Sequence, residues 1–391
     1  MKKKIKIALV VPYPAQLILD SRFIKQNHLN RPVHPAPWVR SLTTAYAKRD
    51  DIEFRVFSHS RAVSKVCYGE ENGVPYTFIP KYEPARLGCY HLHIPARIQF
   101  RKHIRQYAPD LIHGFGTEST YGLIAVEQGL PNVVFIQGIV SEYAPYVDHR
   151  SMMQKKVSAF LERLVVKKVT GFVAETQFAE NWAKSMRNNV SVSVIPHAVN
   201  QEFFNVSPSY ASKEILVVGG IDSRKAVDVS IRALAKSTDK ECKLCIIGAG
   251  PLLEEMKQLS IKLNVFNQIE FCGHLNRNQI IEKMSHARIL AILSRMDTSP
   301  NILTEAHAAG LPVIGTRAGG IPDMIDDEVD GFLVDVDDAD AVAKKIDILI
   351  NDPILCKTMG MAGREKVKIL NDPNRIADEH IKFYHEILNT N

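Results

Sequence analysis

The sequence has 391 residues, of which 46% are hydrophobic and 24% charged; that is a globular composition on a chain too long for one ordinary core, so two domains of near-equal size are expected. The net charge of +6 conceals an asymmetry, because residues 1–200 hold 27 Lys and Arg against 15 Asp and Glu, whereas residues 201–391 hold 22 against 28. A basic half suits an acidic substrate or an anionic membrane surface, and the lack of a base-reading motif or interleaved aromatics argues against nucleic acid.

The start, MKKKIKIALVVPYP, is basic, but its apolar stretch ends too soon at Pro12 and Pro14 for a leader, and no apolar run approaches the roughly 18 residues of a membrane span. It reads as the first buried strand of a cytoplasmic protein. Val/Ile-rich runs of strand length then alternate with helical periodicity: KIALVV, IEFRVFS, DLIHG, NVVFIQG and GFVAE, followed by EILVVGG, KLCIIG, QIEFCG, RILAILS, PVIGT and GFLVD. Continuous apolar strands of this kind predict an α/β fold of parallel sheets covered on both faces. The polar stretch NVSPSYAS interrupts the pattern and marks a linker at 196–213, between an N-terminal Rossmann-like domain at 1–195 and a second at 214–370. The C-terminal helices, the last of them at 371–391 with apolar residues at helical spacing, are expected to pack back toward the N-terminal domain. Two doubly wound domains leave a cleft, and ligands of such sheets bind beyond the carboxyl ends of strands.

One such end is DTSPNILTEAHAAG at 297–310. Ser299 can serve as N-cap, Pro300 suits the first helical position, and Gly310 suits a C′ position, which predicts a helix over 300–309. Its start offers unpaired amides and partial positive charge to a phosphate or a sugar hydroxyl. Asp297 precedes it and Glu305 lies in its second turn, so both carboxylates can accept hydrogen bonds from sugar or ribose hydroxyls.

With its continuation GLPVIGTRAGGIPDMI, this stretch resembles the signature of retaining glycosyltransferase family 4: an acid, seven residues and Glu, then a small-residue helix, Gly-Leu-Pro and a Gly-Gly turn. VIPHAVNQEFF, RKAVDVSIRALA, IIGAGPLLEEM and IEFCGHLNRNQI follow the family's order, so the resemblance covers about residues 192–350 and is looser before that. It implies the two-domain glycosyltransferase B architecture, with a nucleotide diphosphate sugar as co-substrate bound mainly by the C-terminal domain and no metal. It also implies that Glu305 holds the ribose, Asp297 the donor sugar and Lys225 the diphosphate, with Gly219, Arg224, Gly248, Gly250, His274, Ser299, Asn301 and Ile302 lining the donor. A fixed cation such as Lys225 acts most strongly in the transition state, when the leaving diphosphate gains charge.

The chain departs from the family pattern in several places. The family's first acid is usually Glu, and here it is Asp297. Gly219–Gly220 stands where Gly-Arg usually precedes the Lys, so a second diphosphate cation is missing unless Arg224 or Arg295 replaces it. The glycine-rich loop near the start is absent, and the segment through His34 and Trp38 is an acceptor-side candidate instead. Gln137 takes the place of a His and, being unable to act as an acid or base, is restricted to hydrogen bonding. His113, between a strand end and Gly114 and Gly116, reads either as an acceptor contact or as part of a structural loop.

Other patterns read as structural. Cys242 and Cys245 lie in an apolar strand without further ligands at zinc spacing. DVDDAD at 335–340 reads as a helix cap and DDEVDG at 326–331 is too short for a calcium loop. The GAG of Gly248–Gly250 lacks the rest of a dinucleotide fingerprint. Arg97, Arg101 and Arg105 share one helical face, where like charges repel unless an anion neutralises them; a solvated face is one reading, and lipid headgroups at the inner membrane face are another. The expected function is therefore sugar transfer from a nucleotide donor to a carbohydrate or lipid-linked acceptor in surface polysaccharide or glycolipid synthesis. An epimerase or phosphorylase on the same fold, or a non-catalytic nucleotide-binding subunit, are the alternatives.

Overall fold

The computed structural model describes residues 4–25, 36–81, 93–118, 120–146 and 152–390; His34 lies outside them. The chain divides into two compact units. The first holds an eight-stranded sheet, β1 (Ile5–Val10), β2 (Ile52–Ser60), β3 (Cys67–Glu71), β4 (Val74–Pro80), β5 (Leu111–Phe115), β6 (Asn132–Phe135), β7 (Gly171–Ala174) and β8 (Ser191–Val194), in the order β3-β4-β2-β1-β5-β6-β7-β8. Every pairing is parallel except that of β3 with β4. That pair is a hairpin closed at Asn72 and Gly73, whose φ values of 51° and 78° suit the twist of a two-residue turn.

The second unit is an all-parallel sheet of six, β9 (Glu214–Val218), β10 (Lys243–Ile247), β11 (Ile269–Gly273), β12 (Ile289–Ile292), β13 (Val313–Thr316) and β14 (Gly331–Val334), ordered β11-β10-β9-β12-β13-β14. The order runs outward in both directions from β9 and β12, which makes the gap between their carboxyl ends the topological switch point, where such sheets receive ligands. Apolar clusters fill both faces, one around Ile215, Val217 and Leu244, the other around Leu216, Cys245 and Leu290, as the uninterrupted apolar strands require.

Of the two C-terminal helices, Pro353–Leu370 stays in the second unit and only Pro373–Asn389 belongs to the first. The latter buries Ile376, Ile381, Tyr384 and Ile387 in one cluster with Ile7, Val39 and Tyr46. Tyr384 Oη hydrogen-bonds with Tyr46 Oη at 2.7 Å and with His113 Nδ1 at 2.6 Å. Among the described residues no helix is long and apolar enough to cross a membrane.

Candidate functional site in the C-terminal unit

The loops that follow β9 and β12 bring three charged side chains together. Lys225 Nζ donates to Asp297 Oδ2 at 2.5 Å, and Arg224 Nη1 lies 3.3 Å from the same oxygen. Ser294 Oγ adds a hydrogen bond at 3.4 Å. Burial alone would raise the Asp297 pKa, but the Lys225 ammonium and Arg224 guanidinium outweigh it and hold the carboxyl below its usual range. Adjacent residues entering a helix are expected to point apart, yet Arg224 and Lys225 converge, because their loop bends before the helix Val227–Lys236 begins. Ala226 has a φ of 50° there.

Backbone contacts fix this arrangement. Asp222 Oδ1 accepts from Lys225 N at 3.0 Å, and Gly320 N donates to Asp297 O at 2.9 Å. A Cβ on Gly319 would stand 2.1 Å from Asp297 O, so the Gly-Gly turn serves close approach. Three glycines in the turns after β9 and β10 are similarly constrained. A Cβ on Gly219 would press on the Lys225 stem at 3.2 Å, one on Gly248 would meet Gly219 O at 1.8 Å, and one on Gly250 would meet Ile221 O at 2.1 Å.

Arg295 has a different place. It donates to Ser223 O at 2.7 Å, to both Asp228 oxygens at 2.9 and 3.1 Å and to Asp337 Oδ1 at 2.7 Å. Its guanidinium therefore braces the basic loop, and Arg224 is the cation left beside Lys225.

The helix after β12 spans Asn301–Ala309 and ends at Gly310, with a φ of 83°. Pro300, rather than Ser299, occupies the N-cap position and no side chain caps the helix; Ser299 Oγ instead faces Met324 Sδ at 3.7 Å. The Ser299 cap expected from the sequence is thus corrected: a cap residue must precede the first helical one, and the helix starts one residue later than predicted. Asn301 and Ile302 are half-buried in its first turn, and Glu305 is the one residue of 303–310 that is not buried. His274 is exposed in the loop after β11.

In the N-terminal unit the candidates fare differently. His113 is fully buried beneath Tyr384 and kept neutral by burial, so it cannot reach an acceptor. Gly114 is glycine for packing, since its Cβ would stand 2.6 Å from Ala125 Cβ. Trp38 packs half-buried against the core, and Gln137 is half-buried in the loop beyond β6. Arg97 is neutralised by Glu127 at 2.5 Å, while Arg101 and Arg105 remain exposed. In the second unit, Asp338 caps a helix through Ala341 N at 2.8 Å, as DVDDAD suggested. Sequence reasoning missed Asp222 and Ser294; the Asp-x-x-Lys spacing was a legible signal for the first.

Two family profiles match the chain, Glycosyltransferase Family 4 over residues 38–203 and Glycosyl transferases group 1 over residues 199–366. The N-acetyl-alpha-D-glucosaminyl L-malate synthase of Bacillus anthracis is 29% identical over 181 residues, 46% of this chain and 47% of that protein. Several curated relatives are likewise matched over only about half their length. The GalNAc-alpha-(1->4)-GalNAc-alpha-(1->3)-diNAcBac-PP-undecaprenol alpha-1,4-N-acetyl-D-galactosaminyltransferase of Campylobacter jejuni is 23% identical, over 89% of this chain and 94% of its own. In fold, the chain resembles Anabaena Alr3699/HepE, whose structure is a complex with UDP-glucose, with a TM-score of 0.73, 18% identity and coverage of 97% and 99%. With both halves matched in order and two parallel-sheet units of the glycosyltransferase B class, the chain belongs to the group 1, family 4 glycosyltransferases.

Proposed function

We propose that this protein transfers a sugar from a nucleoside diphosphate sugar to a hydroxyl acceptor, with retention of configuration and without a metal ion. The observation that carries this reading is the convergence of Arg224 and Lys225 on one carboxylate at the switch point of the nucleotide-side sheet. Two side-chain cations there can take over the charge of a leaving diphosphate. Asp297 would release them to the phosphates and turn to the donor sugar's hydroxyls, while Glu305 holds the ribose. The bond from the anomeric carbon to the diphosphate oxygen breaks, the acceptor oxygen bonds that carbon on the same face, and the acceptor's proton passes to the leaving phosphate. The complex of the Anabaena protein with UDP-glucose supports a nucleotide donor, and the name of the Campylobacter relative supports a lipid-linked glycan acceptor.

The acceptor side adds a membrane surface in surface polysaccharide or glycolipid synthesis. On the helix Met152–Lys168, the exposed residues Met153, Lys156, Phe160, Arg163 and Lys167 follow helical spacing, which suits anionic headgroups with apolar anchoring. The function is tested by hydrolysis of uridine, guanosine and adenosine diphosphate sugars. One donor should turn over, and turnover should be strongly reduced in the Lys225 and Glu305 variants; nucleotide binding without turnover would support the non-catalytic subunit.

A further inference from the structure

On the sheet face covered by the helix Arg277–His286, well apart in the strand order from β12 and Asp297, two thiols meet. Cys245 of β10 and Cys272 of β11 have their sulfurs 3.2 Å apart. The strand register places Cys245 opposite Glu270, and Glu270 and Cys272 share a face by the two-residue period of a strand. The pairing then slips, from Ile246 with Phe271 to Ile247 with Gly273, so Cys272 is the extra residue of a bulge. Bulges re-aim side chains. One donor atom from each of Cys245, Glu270 and Cys272 lies within 4.8 Å of the other two.

We propose that these three residues form a binding site for a thiophilic divalent cation of the zinc type. Two sulfurs at the usual distance of about 2.3 Å from one tetrahedral ion stand roughly 3.8 Å apart, so the thiol contact need open by only about half an ångström. Binding replaces two S–H bonds with two metal–sulfur bonds and releases two protons to solvent. Two thiolates and the Glu270 carboxylate leave a divalent site with one excess negative charge, and Lys283, whose Nζ is 2.6 Å from Glu270 Oε2, balances it. Such outer partners orient ligands and tune affinity.

A cavity of about 230 Å³ lined by Glu214, Leu275, Gln279, Glu282, Lys283 and His286 supplies room beside the site. Glu214 Oε1 is buried there with no hydrogen-bond partner among the described residues, an acceptor that a metal-bound water would satisfy. The site would also clamp the end of β11, where Gly273 O accepts from Gly248 N at 2.8 Å, and so hold the Gly-rich turn. Cys242, the partner that sequence spacing suggests, plays no part: its sulfur instead lies 3.9 Å from Ser237 Oγ.

The test is titration of the reduced, chelator-treated full chain with Cd²⁺, followed by the sulfur-to-cadmium charge-transfer band and by displacement with Zn²⁺. One Cd²⁺ per chain is expected, with the band abolished in Cys272→Ser, binding weakened on the order of 10- to 100-fold in Glu270→Gln, and Cys242→Ser unchanged. In the unmodified chain, Cd²⁺ should slow alkylation of Cys272 and leave that of Cys67 untouched, which keeps the test independent of variant folding. A band that survives in Cys272→Ser, or an alkylation rate at Cys272 indifferent to Cd²⁺, overturns the proposal.

Discussion

On the proposed reading, replacing Lys225 with Met separates the cation's role in catalysis from its role in holding the loop. At an effective dielectric of about 20, unit charges 2.5 Å apart attract by ~7 kcal/mol and charges 3.3 Å apart by ~5 kcal/mol before desolvation is counted. Those separations are the ones Asp297 has from Lys225 and Arg224. Arg224 is thus a near-equal partner that stays, and dehydration of the lost ammonium is no longer required, so the folded state is expected to lose only about 1–2 kcal/mol net. For a unit of this size that is a melting shift of a few degrees. The transition state has no such reserve, because the diphosphate loses a fixed charge where its own charge grows. A donor-hydrolysis rate lower by about 10²–10³-fold is expected.

The assay pairs donor turnover with a thermal melt on the same preparation. Arg224→Met should show a similar pattern, and the double variant should fall short of the product of the two, since both cations serve one group. Turnover within about threefold of the unmodified enzyme, at an unchanged melting point, would refute the assignment of Lys225 to the leaving group.

Three further outcomes follow from separate parts of the molecule. Glu305→Gln should weaken nucleotide binding by roughly 10- to 100-fold, the worth of hydrogen bonds to a charged acceptor, as calorimetry would show. His307 and His380 are fully buried, and burial lowers the pKa of each to about 3. Their neutral forms therefore contribute stability that is fully present above about pH 6.5 and is lost as pH falls toward 3, at about 1.4 kcal/mol per pH unit for each histidine. Denaturant melts of His307→Gln should show a shallower acid slope than those of the unmodified chain. Finally, Lys156→Glu with Phe160→Glu should reduce sedimentation with anionic vesicles at least tenfold and leave hydrolysis of a soluble donor unchanged.

The strands that sequence reasoning found and those it missed differ in one physical respect. Both sheets are parallel through their middles, and the strands buried on two faces announce themselves as unbroken Val/Ile runs. β3 and β8 are the edge strands, where CYGEE carries two acids and SVSV is only half-buried, and β4, buried between β3 and β2, is VPYTFIP, whose prolines at both ends read as loop. The Asn72–Gly73 turn was the signal that would have found β3 and β4. In the site, the acid-to-acid spacing and the lysine were legible because their neighbours are glycines and a helix stop at fixed offsets. The positions of Arg224 and Arg295 were not legible, since two arginines near one lysine look alike until Asp228, Asp337 and the Ser223 carbonyl claim one of them. His113 misled for the opposite reason: a histidine followed by Gly114 and Gly116 suggests a loop site, but it lies in the middle of β5 against Phe115 and Phe135, and the last helix brings Tyr384 onto it from 271 residues later.

On the proposed reading, Asp297 and the Gly219–Gly220 pair explain one another. Loss of the family's arginine before the lysine looks like loss of a diphosphate cation, but the bent loop brings Arg224 beside Lys225 on Asp297, so two cations still converge there. Two adjacent cations would repel, and side chains with only 26% and 15% of their surface exposed are poorly placed to be screened by water. Asp297 answers that need. Its side chain is one methylene shorter than the usual Glu, and its carbonyl is pinned by Gly320 N, so its carboxylate rests on the cations. An incoming diphosphate must displace that carboxylate, and the displaced carboxylate becomes available to the donor sugar. The same ion pair thus stabilises the loop before binding and couples arrival of the phosphates to release of the group that recognises the sugar.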